Sequence, residues 1–96
     1  MINETIHKYV VALHEEAPEI VAPAVAHFLD AQFQHGHLCL WALVDTRNKP
    51  ERYTVRVIGT GQDASALGGF AHVGTVQANE GNIVLHVFVS LCGLPV

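Results

Sequence analysis

Charge is scarce in this 96-residue chain, and positive charge is scarcest: five Lys and Arg stand against nine Asp and Glu, for a formal net charge of −4. The five are scattered from Lys8 to Arg56 with no basic patch. A surface that grips a nucleic-acid backbone needs such a patch to displace counterions, so general nucleic-acid binding is not expected. A compact anion remains possible, because one arginine and a few backbone amides can hold it. Cysteine is nearly absent too. Cys39 and Cys92 lack any metal-type spacing and read as reduced thiols of a cytosolic protein. No basic and apolar leader opens the chain, and no apolar run reaches membrane-spanning length, so no membrane partner is expected.

The residues of common catalytic motifs are missing as well. Ser65 and Ser90 are the only serines, and neither sits in a G-x-S-x-G elbow. No carboxylate pair stands at acid/base spacing; Glu15-Glu16 reads as a solvated turn. Cys39 has His37 two residues away, but it lies in an apolar run where a thiol is ordinarily inert. The expectation is no enzyme, no catalytic residue and no cofactor.

Apolar residues are abundant, at 50% of the chain, with only 15% charged. That excludes a disordered chain and fits one domain over residues 1–96, with apolar surface to spare for a homo-oligomer contact. Seven histidines are many for this length. His35 and His37 flank Gly36, yet no further ligand is placed to complete a metal set, so no metal site is expected. His7, His14, His27, His72 and His86 are dispersed over the runs and read as satisfied strand polar residues.

The apolar residues come in short runs broken by turn signals. Glu4–Leu13 alternates imperfectly and reads as a strand. Pro18 and Pro23 bracket a segment that can be at most a brief edge strand. The run from Pro23 to Gln34 fits helical and strand spacing alike. A tight turn at His35-Gly36 decides for a strand: it sets Phe33 opposite Leu38, Ala31 opposite Leu40, Leu29 opposite Ala42 and His27 opposite Val44, a nearly all-apolar face. The other face sets Gln32 against Cys39, Asp30 against Trp41 and Phe28 against Leu43. A charged turn, "DTRNKPE", precedes the strand "RYTVRVIGTG". A Gly-rich loop follows, with a partial G-x-G-x-x-G in "GTGQDA" that lacks the βαβ context of a dinucleotide site. A last hairpin turns at Glu80-Gly81, pairing Val76 with Leu85 and Gly74 with Val87 on one side, Thr75 with His86 and Val73 with Phe88 on the other. The residues from Ser90 to Val96 form a tail, free or packed over a sheet edge. The fold class is therefore all-β: an antiparallel β-sandwich or curled sheet of six to seven short strands joined by hairpins.

If these strands share one sheet, its second face gathers Asp30, Gln32, Trp41, Thr54, Arg56, Thr75, Gln77 and His86 among apolar neighbours. Trp41 would stack on a base and Arg56 would neutralise a phosphate. The amides of Gly59, Thr60 and Gly61 would add donors, with Thr75 and His86 supplying further hydrogen bonds. The plainer reading packs the same face on a second sheet or a second subunit.

"IHKY", "LCLWALVD", "GTG" and the closing "HVF" together resemble a family of short proteins of unknown function encoded by bacteriophages and prophages. The resemblance spans most of the chain, and the closing "VSLCGLPV" departs from it by running past "HVF". It implies a setting in the host bacterial cytoplasm. There, small phage accessory proteins counter defence by binding, either by sequestering a small cyclic nucleotide signal or by docking on a host protein. The expected function is the first, as a homo-oligomeric sponge; the alternative is a protein–protein interaction module that inhibits a host protein or acts as a phage structural or regulatory component.

Overall fold

Alternating apolar residues between turn signals produce strands throughout a computed structural model that describes residues 2–96. Eight strands form among them: β1 Glu4–Val10, β2 Glu19–Pro23, β3 His27–Gln34, β4 His37–Asp45, β5 Pro50–Gly59, β6 Phe70–Ala78, β7 Ile83–Ser90 and β8 Leu94–Pro95. The count exceeds the expected six or seven because the Pro-bracketed segment pairs over five residues and the tail adds a two-residue strand.

The strands make two antiparallel sheets. The smaller has the order β1-β4-β3; the larger has the order β2-β5-β7-β6, with β8 beside β5. Their inner faces share one core. Leu38 and Leu40 from β4 meet Val55 of β5, Val76 of β6 and Val87 and Val89 of β7, all buried. Burying such side chains supplies roughly 1.5–3 kcal/mol each, the main driving force of a small sandwich. The tail is not free: β8 sets Leu94 opposite Arg52 and Pro95 opposite Glu51, and the Arg52 Nε donates to the Pro95 carbonyl at 3.1 Å.

Both hairpin turns fall where the sequence places them. His35 and Gly36 take φ of 53° and 80°, and Glu80 and Gly81 take 55° and 86°. That is the left-handed pair a two-residue hairpin demands. In the second turn Asn79 is left-handed as well, with φ of 52°, and Asn79–Gly81 forms a single 3-10 turn between Ala78 and Ile83. Near each turn the expected pairing holds: Phe33–Leu38, Ala31–Leu40 and Asp30–Trp41 in one hairpin, Val76–Leu85, Thr75–His86 and Gly74–Val87 in the other.

Farther from the turns each pairing slips by one residue, at Leu29 in β3 and at Val73 in β6. These are β-bulges, and each turns the rest of its strand over. Phe28, expected outside, lies opposite Ala42 on the core side and stacks edge-on against Tyr53 at 5.3 Å; Leu29, expected in the core, is 43% exposed. His72 replaces Val73 opposite Phe88 on the outer face, while Val73 packs against the core.

The two sheets close on each other at Gly74. A Cβ there would lie 3.0 Å from the Asp30 Oδ1 and 3.2 Å from the Ala31 amide nitrogen, so a side chain at this position would require β3 or β6 to give by a few tenths of an ångström, and glycine needs no such shift.

Candidate functional site

The outer face of the larger sheet carries the densest set of polar and aromatic side chains. On β5, Arg56 and Ile58 alternate with buried Val55 and half-buried Val57; on β7, His86 and Phe88 alternate with buried Val87 and Val89. The bulge at Val73 brings His72 and Phe70 of β6 onto the same face. Thr75 Oγ1 lies 3.0 Å from both the His72 Nε2 and the His86 Nδ1, and the other ring nitrogen of His86 lies 2.8 Å from Thr60 Oγ1. His72, Thr75, His86 and Thr60 thus form one hydrogen-bonded line from β6 across β7 to the loop after β5.

The line alternates hydroxyl and imidazole, groups that each donate and accept. Its proton positions can reverse to suit what lies above it. Beside it, the Arg56 guanidinium sits 5.3 Å from the centre of the Phe70 ring, and the rings of His72 and Phe88 pack at 5.2 Å. Arg56 is exposed, so a ring face orients its charge while solvent still reaches it. No carboxylate stands on the β5-β7-β6 part of this face; Glu19, farther along on β2, is held by Arg52 at 3.5 Å, and Asp63 in the loop accepts the Ser65 amide at 2.9 Å. Such a surface suits an anion that carries a flat ring.

Of the residues expected to bind ligand, Arg56, Thr60, Thr75 and His86 come together here. Trp41 does not. The expectation of one mixed face assumed one sheet, whereas Trp41 lies on the outer face of the smaller sheet, between Lys8 and Asp30, with the shared core separating it from Arg56. The Gly-rich loop also differs from expectation as a donor nest. The Gly59 amide donates to the Gln62 Oε1 at 2.7 Å and the Thr60 amide to the Val84 carbonyl at 3.4 Å, so both are engaged within the chain. Gly61, with φ of 89°, serves the turn itself. His72 and Phe70 were missed by strict alternation; "HVGT", with a glycine beside a β-branched residue inside a strand, is the sort of local pattern at which bulges form.

Elsewhere, no group of three or more His, Cys, Asp or Glu is arranged to hold a metal among the described residues. Cys39 is buried and its thiol donates to the His37 carbonyl at 3.6 Å; Cys92 is exposed. No helix among the described residues is long and apolar enough to cross a membrane.

No curated protein and no solved structure matches this chain. Residues 2–92 match the family described as a domain of unknown function (DUF7352), and the chain belongs to that family.

Proposed function

We propose that this chain is a non-enzymatic binding module that takes a small nucleotide on the outer face of its larger sheet. One observation carries the reading: the line His72–Thr75–His86–Thr60 runs beside exposed Arg56 and the Phe70 and Phe88 rings on a patch without carboxylates. Arg56 offers a forked donor set to a phosphate, and the hydroxyls and imidazoles adapt to the remaining oxygens. The setting rests on the resemblance of "LCLWALVD", "GTG" and "HVF" to small phage and prophage proteins. In that setting the module sequesters a cyclic nucleotide signal of host defence in the bacterial cytoplasm.

The test mixes purified protein with cyclic mono-, di- and trinucleotides, removes the protein by filtration, assays the free ligand, then heats the retained protein and assays again. Sequestration predicts that one ligand disappears and returns intact. Loss of a charge-assisted contact in Arg56→Ala should weaken retention about tenfold or more. If every ligand stays free, the nucleotide reading falls. A ligand that returns as fragments overturns the non-enzymatic part, with His72 and His86 then the acid and base to examine.

A second reading has its own observation. On the outer face of the smaller sheet, Ile6, Val10 and Leu43 are 57%, 53% and 39% exposed around half-buried Trp41. An apolar patch on a sheet with no covering layer suits a protein partner, which includes a second copy of this chain. A complex from host lysate that survives high salt and contains no nucleotide favours that reading.

A further inference from the structure

Along a regular strand, residues three apart point to opposite faces. His72 and Thr75 are three apart on β6, yet the bulge at Val73 puts both on the outer face, His72 opposite Phe88 and Thr75 opposite His86. Thr75 Oγ1 is so placed 3.0 Å from His72 Nε2 and 3.0 Å from His86 Nδ1, while His86 Nε2 lies 2.8 Å from Thr60 Oγ1. His86 engages both ring nitrogens inside the line. His72 engages Nε2 and keeps Nδ1 for another partner.

These contacts limit how many donors the line can present. Each neutral imidazole carries one N–H and each hydroxyl one O–H, so the four side chains hold four such protons. The three hydrogen bonds within the line use three of them. The fourth faces outward from His72 Nδ1, from Thr75 or from Thr60, at one of these places at a time. A second outward donor therefore requires one more proton, on an imidazole.

Arg56 marks where a second donor is wanted. Its guanidinium crosses β7 and lies 5.3 Å from the centre of the Phe70 ring. Phe70 precedes His72 by two residues on the same face, about 7 Å along the strand. An anion held by Arg56 there has His72 and Thr75 as its polar neighbours on β6. The other charged groups around this face are Arg52 with Glu19 at 3.5 Å, Asp63, which accepts the Ser65 amide at 2.9 Å, and Glu80 in the turn after β6. Among the described residues, no carboxylate forms an ion pair with His72 or His86. An imidazolium in the line has no counterion within the chain, and a bound anion supplies one.

We infer that the line couples anion binding to a proton: an anion between Arg56 and His72 accepts from both His72 Nδ1 and the Thr75 hydroxyl, and its binding takes up one proton from solvent. This rests on the proposed nucleotide function for the ligand's identity and adds the control of that site by pH. The bound state holds the extra proton, so affinity is highest at low pH and falls as pH rises through the imidazole range, about 5 to 8. Thr75 is the positioning residue, because its single hydroxyl joins the two imidazoles.

The experiment is calorimetric titration of the full chain across that range, in buffers of different ionisation enthalpy, which counts the protons taken up. The probes are sulfate and the panel of cyclic mono-, di- and trinucleotides, whose charge is constant over the range. Thr75→Val keeps both imidazoles and Arg56 but splits the line. His72 then presents its own N–H and the His86–Thr60 pair presents another, so two donors face outward without an added proton. Thr60→Val only shortens the line: three protons and two hydrogen bonds still leave one outward donor. In the parent, uptake should approach one proton at the upper end of the range, and affinity should fall about tenfold across it, the worth of one charge-assisted hydrogen bond. Thr75→Val should lose most of the uptake and of the pH dependence, and Thr75→Ala, which also lacks the hydroxyl, should match it. Thr75→Ser and Thr60→Val should keep both. If a cyclic nucleotide binds without proton uptake, or if Thr75→Val takes up as much as the parent, the inference is overturned and the proposed function stands. If sulfate shows the uptake and its loss while no cyclic nucleotide binds, the coupling stands and the nucleotide reading falls. No binding of any probe overturns both. A thermal midpoint close to the parent's shows that each variant is folded.

Discussion

The contrast between the two cysteines follows from two side chains that meet over one of them. Cys39 is on the outer side of β4, where a thiol would ordinarily face solvent, yet it is 1% exposed. Lys8 on β1 and Gln34 on β3 explain this: their pairing positions flank Cys39 diagonally, and the Lys8 Nζ donates to the Gln34 Oε1 at 2.8 Å across it. Removing the clasp should open the thiol. In the parent, a thiol reagent should modify Cys92 at once and Cys39 only on unfolding; in Lys8→Ala or Gln34→Ala, two thiols should react under native conditions. One reactive thiol in both variants would mean that the clasp does not protect Cys39. A second residue-scale prediction concerns the turn after β4. The side chain of Arg47, bonded to both oxygens of Asp45 at 3.0 and 2.7 Å, pushes that carboxyl down from 3.8 to about 2, with the Arg47 amide adding to the effect. Because the folded value is depressed, whatever stability the contact gives is present above the unfolded value near 4 and is lost as pH falls toward 2. The pair is on the surface, so the readout is titration rather than stability: the Asp45 carboxyl followed by NMR should have its midpoint about 2 in the parent and rise toward 3.8 in Arg47→Ala.

At the scale of the element, the bulges decide which neighbouring side chain counts. Regular pairing from the His35-Gly36 turn gives Leu29 to the core, and the structure gives it Phe28. Phe28→Ala should therefore cost about 2 to 3 kcal/mol, below the value for a fully buried ring because Phe28 is only partly buried, whereas Leu29→Ala should stay within about 0.5 kcal/mol. Chemical denaturation of the two variants checks this, and the reverse order would restore the unbroken register. The same comparison marks what was legible. Turn chemistry set both hairpins and their first pairs, because positive φ at Gly36 and Gly81 is a local demand that local residues reveal. A bulge answers to a distant demand instead: Phe28 turns inward because Tyr53, twenty-five residues on, offers its ring. Gly74 illustrates the same division. Its place opposite Val87 was legible, but its closeness to Asp30 and Ala31 was not. Gly74→Ala should cost roughly 1 to 3 kcal/mol, since the new methyl group meets backbone as well as a carboxylate. A thermal midpoint unchanged from the parent's would show that the sheets accommodate it.

For the whole molecule, the decisive fact is which strands share a sheet. Hairpin partners are announced by their turns, but the pairings β1 with β4, β2 with β5 and β5 with β7 join strands far apart in sequence, and nothing local signals them. That is why Thr75 and His86 could be paired from sequence, whereas Arg56 and Trp41 were both joined to them only by assuming one sheet, which the structure meets for Arg56 and not for Trp41. The two outer faces look away from a common core, with packed sheets about 10 Å apart. Substitutions on them should then act independently. Trp41→Ala should leave nucleotide affinity within about twofold and add to Arg56→Ala without coupling. Its effect should fall on self-association instead. Trp41 sits between Lys8 and Asp30, a basic–aromatic–acidic row across the small sheet. A two-fold axis parallel to the strands lays this row on its own reverse, so that Lys8 meets Asp30 of a second copy and tryptophan meets tryptophan, the self-complementarity an isologous contact requires. Sedimentation of the parent should show a dimer, and Trp41→Ala, by removing the central aromatic anchor, should shift it to monomer. A parent that sediments as monomer at all concentrations would assign the patch to a different protein; a dimer indifferent to Trp41→Ala would move the contact to another surface. If Trp41→Ala instead abolished nucleotide binding while the protein stayed folded, the two faces would be coupled through assembly, with the ligand held where copies meet.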